Sequence, residues 1–231
     1  MKLLLFDIDQ TLINSGGAGL RALDRACQKI LAIENAMHGI SPHGKTDPAI
    51  IREILRTRLG SESVHEDRIA TLLEAYLLFL REEVPTSPGY RVMPGITEVL
   101  DELSARSDTA LGLATGNVEK GARIKLERGR LNGYFAFGGF GSDSESRAAL
   151  VQRAAEAATY EFGRSFQPTD IFVIGDTPRD IEAGRDAGFK TVGVGTGSYS
   201  VGQLLTAGAD LAIPDFLQGR DLFLRAAFEE T

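Results

Sequence analysis

A chain of 231 residues, 43% of them hydrophobic, is long enough for one large domain or for a core with a modest insertion. Its charge of −7 at neutral pH argues against a nucleic-acid or anionic-membrane surface, while a small anionic substrate still binds where local metal and arginine charge outweigh a diffuse field. Cys27 is the only cysteine, which excludes an intramolecular disulfide, and no apolar run approaches the ~18 residues of a membrane helix, so the cytoplasm is the expected address.

The first element predicted is a strand over the apolar run Leu3-Leu4-Leu5-Phe6, which ends in Asp7-Ile8-Asp9-Gln10-Thr11. The end of a buried strand is where open α/β sheets keep their active sites. Alternation points Asp7 and Asp9 the same way and Ile8 back into packing. Two carboxylates so close need a counter-cation, and a hard divalent ion, Mg2+, is the economical one. An acidic turn is the plainer reading of the pair taken alone.

Three amphipathic faces follow: Leu20, Leu23, Cys27, Ile30 and Leu31; then Ile51, Ile54, Leu55 and Leu59; then Ile69, Leu72, Leu73, Tyr76, Leu77 and Leu80. They predict a small helical bundle. Connections from strand to strand-covering helix are normally a few residues, so this stretch is an insertion. Asn14 to Gly19, with three glycines, is the expected outgoing hinge. Val84-Pro85-Thr86-Ser87-Pro88-Gly89 is expected to break the last helix, with Pro94-Gly95 opening the next run at Ile96, Val99, Leu100 and Leu103. Between the first two helices, Pro42-His43-Gly44-Lys45-Thr46-Asp47-Pro48 carries a cation, an imidazole and a hydroxyl. It also reads as a plain helix start with Asp47 as N-cap and Pro48 at N1. The histidines, His38, His43 and His65, lack any paired spacing for zinc.

A second buried strand, Thr109 to Ala114, ends in Thr115-Gly116-Asn117, where a hydroxyl, a flexible glycine and helix-opening amides form an anion cradle or, more plainly, a helix cap. A third, Ile171 to Ile174, ends in Gly175-Asp176-Thr177-Pro178-Arg179-Asp180, in which Pro178 suits a first helical turn and the i to i+4 step returns Asp180 toward Asp176. This is the second half of an acidic metal site. Lys190 to Gly195 and Asp210 to Ile213 are further strands, and Gly193, Gly195 and Gly197 do not fit a dinucleotide fingerprint, so they are assigned to loop geometry at the rim of the sheet.

With D-I-D-Q-T, A-T-G-N and G-D-T-P-R-D in this order at strand ends, the chain resembles the haloacid dehalogenase superfamily of aspartate-nucleophile phosphotransferases. Its layout is similar to the branch containing phosphoglycolate phosphatases and β-phosphoglucomutases. The resemblance implies an α/β fold: a Rossmann-like three-layer core with a mainly parallel sheet (residues 1–13 and 91–231) and an inserted α-helical cap (14–90). It implies that Asp7 is the nucleophile, that Asp9 is general acid and then base, and that Mg2+ is held by the Asp7 carboxylate, the Asp9 backbone carbonyl and Asp176, with Asp180 in support. Thr115, Gly116 and Asn117 would receive the phosphoryl group, and Lys45 and Thr46 the leaving group.

The family pattern also wants a phosphoryl-binding cation, most often a lysine, after the threonine motif. None occurs between Lys125 and Lys190, so the charge must come from an arginine or from a lysine outside that interval. Arg147, near a helix start, is the candidate and Arg153 the next, because a guanidinium grips two oxygens and stays charged. An exposed helical arginine is the plainer reading. The expected activity is a Mg2+-dependent phosphatase for a small, phosphoglycolate-like metabolite. A sugar phosphomutase would use the same machinery, and dehalogenation is disfavoured by the second acid, Asp9. A phospho-aspartate receiver or a non-catalytic phospho-ligand-binding protein is the alternative from another class. Oligomeric state is not readable.

Overall fold

The computed structural model describes residues 1–229. Six strands form one sheet: β1 (Lys2–Phe6), β4 (Thr109–Thr115), β5 (Phe137–Phe140), β6 (Ile171–Gly175), β7 (Lys190–Val194) and β8 (Leu211–Ile213). Their order is β5-β4-β1-β6-β7-β8 and every pairing is parallel. β1 sits inside the sheet between β4 and β6, with Phe6 opposite both Leu113 and Ile174. The first strand therefore delivers its carboxyl end to the place where strand order runs away in both directions, the crevice in which such sheets bind ligands.

The uninterrupted apolar run of β1 is explained by burial on both faces. Leu4 and Phe6 join one cluster with Ile96, Val99 and Leu100 of α4 (Ile96–Ser104), Leu126 of α5 (Glu119–Glu127) and Phe216 and Phe223 of α9 (Phe216–Phe228). Leu3 and Leu5 join another, with Val151 and Ala154 of α6 (Arg147–Phe162) and Ala183 of α7 (Pro178–Asp186). The four apolar side chains of β1, Leu3 to Phe6, are fully buried and contribute roughly 1.5–3 kcal/mol each. A three-layer α/β core follows from that alternation.

Between β1 and β4 lie α1 (Ala18–Leu31), α2 (Asp47–Leu59) and α3 (Glu66–Thr86), which share a separate core built from Leu23, Cys27, Ile51, Leu55, Leu72, Tyr76 and Leu80. The chain leaves through β2 (Ile13–Ser15) and returns through β3 (Tyr90–Val92), which pair antiparallel with Ile13 opposite Val92. Arg21 ties the two passages together: its guanidinium donates to the Gly16 carbonyl at 2.8 Å and to the Ser87 hydroxyl at 2.9 Å.

Some local expectations are corrected. Asn14 and Ser15 form a short strand where a glycine-rich hinge was expected, because their backbone finds partners in the returning chain. The break expected over residues 84–89 is found, with α3 ending at Thr86, one residue past Pro85. A proline in a last turn removes one backbone donor, and beyond it Arg128 donates to the carbonyls of Val84 and Ser87 at 2.9 and 2.8 Å. Thr46, not Asp47, is the N-cap of α2: its hydroxyl accepts the Ala49 N–H at 3.3 Å, leaving Asp47 as the first helical residue. β5, Phe-Gly-Gly-Phe, carries no alternation and was not expected as a strand. Among the described residues no helix is long and apolar enough to cross a membrane.

Candidate active site

The carboxyl ends of β1, β4 and β6 bring Asp7, Thr115 and Asp176 side by side. Asp7 is anchored by its own backbone, whose N–H donates to the Ile174 carbonyl at 2.9 Å. One carboxylate oxygen from each of Asp7, Asp176 and Asp180 lies within 4.8 Å of the others, all three residues buried. Asp180 is oriented by a capping box that opens α7: its Oδ2 accepts from the Thr177 backbone N–H at 3.0 Å and the Thr177 hydroxyl at 2.7 Å. The i to i+4 spacing seen in the sequence thus works through a helix cap.

Burial drives the Asp7 carboxyl up to about 7, with Asp180 and Asp9 adding repulsion against the pull of Arg147 and Thr115. Burial likewise lifts Asp176 to about 9, reinforced by Asp180 and Asp7. Carboxylates crowded out of water in this way fit a hard divalent cation, which would let them all ionise. Asp9 is not part of that cluster. Its side chain is held by other partners: Oδ2 accepts from Lys125 Nζ at 2.6 Å and from Asn117 Nδ2 at 2.9 Å. Burial opposes its charge, but Lys125 and Asn117 prevail and hold Asp9 below the usual carboxylate range.

Arg147 is the first residue of α6, and its guanidinium bonds Asp180 Oδ1 while lying 3.8 Å from Asp7 Oδ1. The sequence also allowed an exposed helical arginine; the structure encloses most of its side chain, 14% exposed, beside Asp7 and Asp180. Arg153 is exposed, paired with Glu156, and outside the site. Thr115 is fully buried beneath the floor, accepting from Asn117 Nδ2 at 2.8 Å. The Oδ1 of Asn117 is buried without a partner.

Above these groups is a cavity of ≈ 220 Å³, walled by Asp7, Asp9, Gly116, Asn117, Arg147 and Asp176 from the sheet side and by His43, Lys45, Asp47, Ile50 and Tyr76 from the helical side. Lys45 reaches it, although its ammonium is bonded to Glu53. Thr46 does not reach it: its hydroxyl is spent on the α2 cap and the residue is buried, so the expectation of a direct contact is corrected. What the 42–47 loop does is sit on the threonine motif. A Cβ at Gly116 would stand 2.3 Å from the Lys45 carbonyl oxygen, so only glycine allows the approach. Gly197, assigned to the sheet's rim from sequence, has a similar role: a Cβ there would stand 1.8 Å from Asp176 Oδ2.

Lys125 is the residue that sequence reading missed. It sits in the last turn of α5, where a lysine normally reads as a helix-end cation, and only the packing of α5 against the site turns it inward. Burial disfavours its charge, yet Asp9, Tyr76 and Asp47 together raise its affinity for the proton.

A family model described as haloacid dehalogenase-like hydrolase matches residues 4–194. The chain belongs to the haloacid dehalogenase-like hydrolases. It is 28% identical over 222 residues to a phosphoglycolate phosphatase of Synechococcus elongatus, covering 94% of this chain and 92% of that one. It is 26% identical to a phosphoglycolate phosphatase of Aquifex aeolicus, covering 83% of each. Its fold matches a β-phosphoglucomutase from Clostridium difficile with a TM-score of 0.72 at 18% identity, over 98% of this chain and 97% of that one. As a member of this family the protein is a hydrolase, and its six-stranded parallel sheet is the family's α/β architecture.

Proposed function

We propose that the protein is a Mg2+-dependent phosphatase that hydrolyses a small, phosphoglycolate-like phosphate ester through an aspartyl-phosphate on Asp7. The observation supporting this most directly is the arrangement around one cavity: an acidic cluster of Asp7, Asp176 and Asp180 with Arg147 on its floor, and Asp9 apart from it on the wall. Two carboxylates held in different surroundings are suited to two roles.

Asp7, Asp176 and the backbone carbonyl of Asp9 would hold the ion, with Asp180 in support, and Mg2+ when bound supplies positive charge that offsets the repulsion between Asp7 and the phosphate. In the first step an Asp7 oxygen bonds to phosphorus as the ester P–O bond breaks, and Asp9, which must first take up a proton against the pull of Lys125, gives that proton to the departing oxygen. In the second, Asp9 takes a proton from water as that oxygen attacks phosphorus, and the Asp7–phosphorus bond breaks to release phosphate. Arg147 grips the phosphoryl oxygens, with Gly116 and Asn117 lining their seat and Thr115 supporting Asn117 from beneath. Residues 14–90 act as a cap that excludes water and selects the leaving group, which Lys45 faces. Thr46 contributes by starting α2.

The test is phosphate release from a panel of small esters, phosphoglycolate and hexose phosphates included, with and without Mg2+. Mg2+-dependent release that disappears in a folded Asp7→Asn variant is expected. Turnover that survives Asp7→Asn would sink the nucleophile assignment. Transfer of the phosphoryl group to a sugar hydroxyl in preference to water would make the protein a phosphomutase, a reading to which the polar cavity groups Asp47, Tyr76 and His43 lend support.

A further inference from the structure

The cavity wall holds a second buried cation that the reaction scheme above does not use. The Lys125 side chain is 7% exposed, against 39% for the Asp9 side chain it bonds. An ammonium this deep is costly unless it is paired and held in good geometry, and Asp9 is its ion-pair partner. Its stem is held in place. The Lys125 carbonyl accepts the hydroxyl of Tyr90, in the returning strand β3, at 2.8 Å, and a Cβ at Gly19, near the start of α1, would meet Cε and Nζ at 3.6 Å. Lys125 is thus a fixed post between the sheet and the helical unit.

What that post does follows from which oxygen it holds. Both donors, Lys125 Nζ and Asn117 Nδ2, converge on Asp9 Oδ2, and Oδ1 accepts no hydrogen bond among the described residues. An oxygen that already accepts two donors has its lone pairs committed. We infer that Lys125 is the positioning residue for Asp9: together with Asn117 it locks the carboxylate by Oδ2, so that Oδ1 alone carries the proton to the leaving oxygen and takes it back from water. The inference rests on the reading of Asp9 as acid and base given above. Its physical basis is orientation: a proton donor must lie within hydrogen-bond reach of the departing oxygen, and misplacement by about 1 Å costs on the order of 10²-fold.

The experiment compares kcat/KM for the best alkyl phosphate and for p-nitrophenyl phosphate, whose leaving group departs without needing a proton, in wild type, Lys125→Met, Lys125→Arg and Asp9→Asn. Lys125→Met is expected to lose about 10²-fold on the alkyl ester and less than about 10-fold on the aryl ester. Lys125→Arg, which keeps a donor in place, should recover most of the alkyl loss. An equal loss on both esters, or none on either, overturns the inference, since a residue serving only the fold or the phosphoryl group would not discriminate between leaving groups. Should Lys125→Met fail to fold, Lys125→Gln carries the same comparison, with a smaller selective loss expected and a non-selective loss overturning it. Asp9→Asn separates the two layers. If it shows no leaving-group selectivity, the acid assignment itself fails; if it does and the Lys125 variants do not, only the positioning role fails.

Discussion

Asp47 grips Val118: its Oδ2 accepts the Val118 backbone N–H at 2.8 Å, and its own N–H donates to the Gly116 carbonyl at 2.8 Å. Through this pair the start of α2 is fastened to the threonine motif at the end of β4, which closes the cavity from above.

Asp47→Ala leaves the buried Val118 N–H without a partner, which costs about 1–3 kcal/mol. The expected result is lower stability in urea unfolding, together with faster proteolysis in the 42–47 loop. A variant as stable as wild type, with that loop equally resistant, would show that the contact does not hold the two units together.

Stability should depend on pH in a direction set by the raised carboxyls. Asp47 is lifted to about 6, Asp7 to about 7 and Asp176 to about 9, each mainly by burial. A group with a raised folded pKa binds its proton more tightly when folded, so its contribution is present at low pH and is lost as pH climbs from the unfolded value, 3.8, through the folded one. In chelator the protein should therefore melt lower at pH 8 than at pH 5.5. Mg2+ should raise the melting point more at pH 8, where the acids ionise readily around it, by an amount equivalent to ~2.7 kcal/mol when the ion is at 100 times its Kd. A melting point that rises with pH in chelator would contradict this account.

Arg147 offsets charge in the acidic floor that nothing else there offsets among the described residues within ion-pair distance. Arg147→Met is expected to lower kcat by about 10²- to 10³-fold. Arg147→Lys should retain more activity than Arg147→Met, because it keeps the charge and loses only the two-pronged grip. Steady-state kinetics on the two variants check the order, and equal losses would remove charge from the explanation.

Gly197→Ala adds a methyl where Asp176 Oδ2 now lies, and the carboxylate must move. The expected outcome is a folded protein with weakened Mg2+ binding, measured by calorimetric titration. Unaltered affinity would mean that Asp176 does not hold the ion.

Much of this was legible before any coordinates. The apolar run before Asp7 and the one before Asp176 announced strands buried on both faces, and two such strands ending in acids implied neighbouring acids, since parallel strands present their carboxyl ends on one edge. Arg147 was reachable as well, from the missing lysine. Lys125 was not, because its place in a polar-looking α5 carries no periodic signal and its inward turn depends on how α5 docks against α1 and β3. Thr46 and Asp47 were exchanged as cap and helical residue, because both types cap helices and only the backbone decides which stands at the boundary.

The sequence by itself determined the order of the acid- and threonine-bearing strands and of the inserted helices, the α/β class, and the residues at those strand ends, since hydrophobic period and turn chemistry are local properties of the chain. Tertiary structure alone decided that Asp9 meets Lys125 and does not join the cluster of Asp7, Asp176 and Asp180, and that the Lys45 loop rests on Gly116. Those contacts join residues far apart in the chain, and which of two nearby carboxylates meets which cation depends on distances of a few ångströms that no spacing encodes.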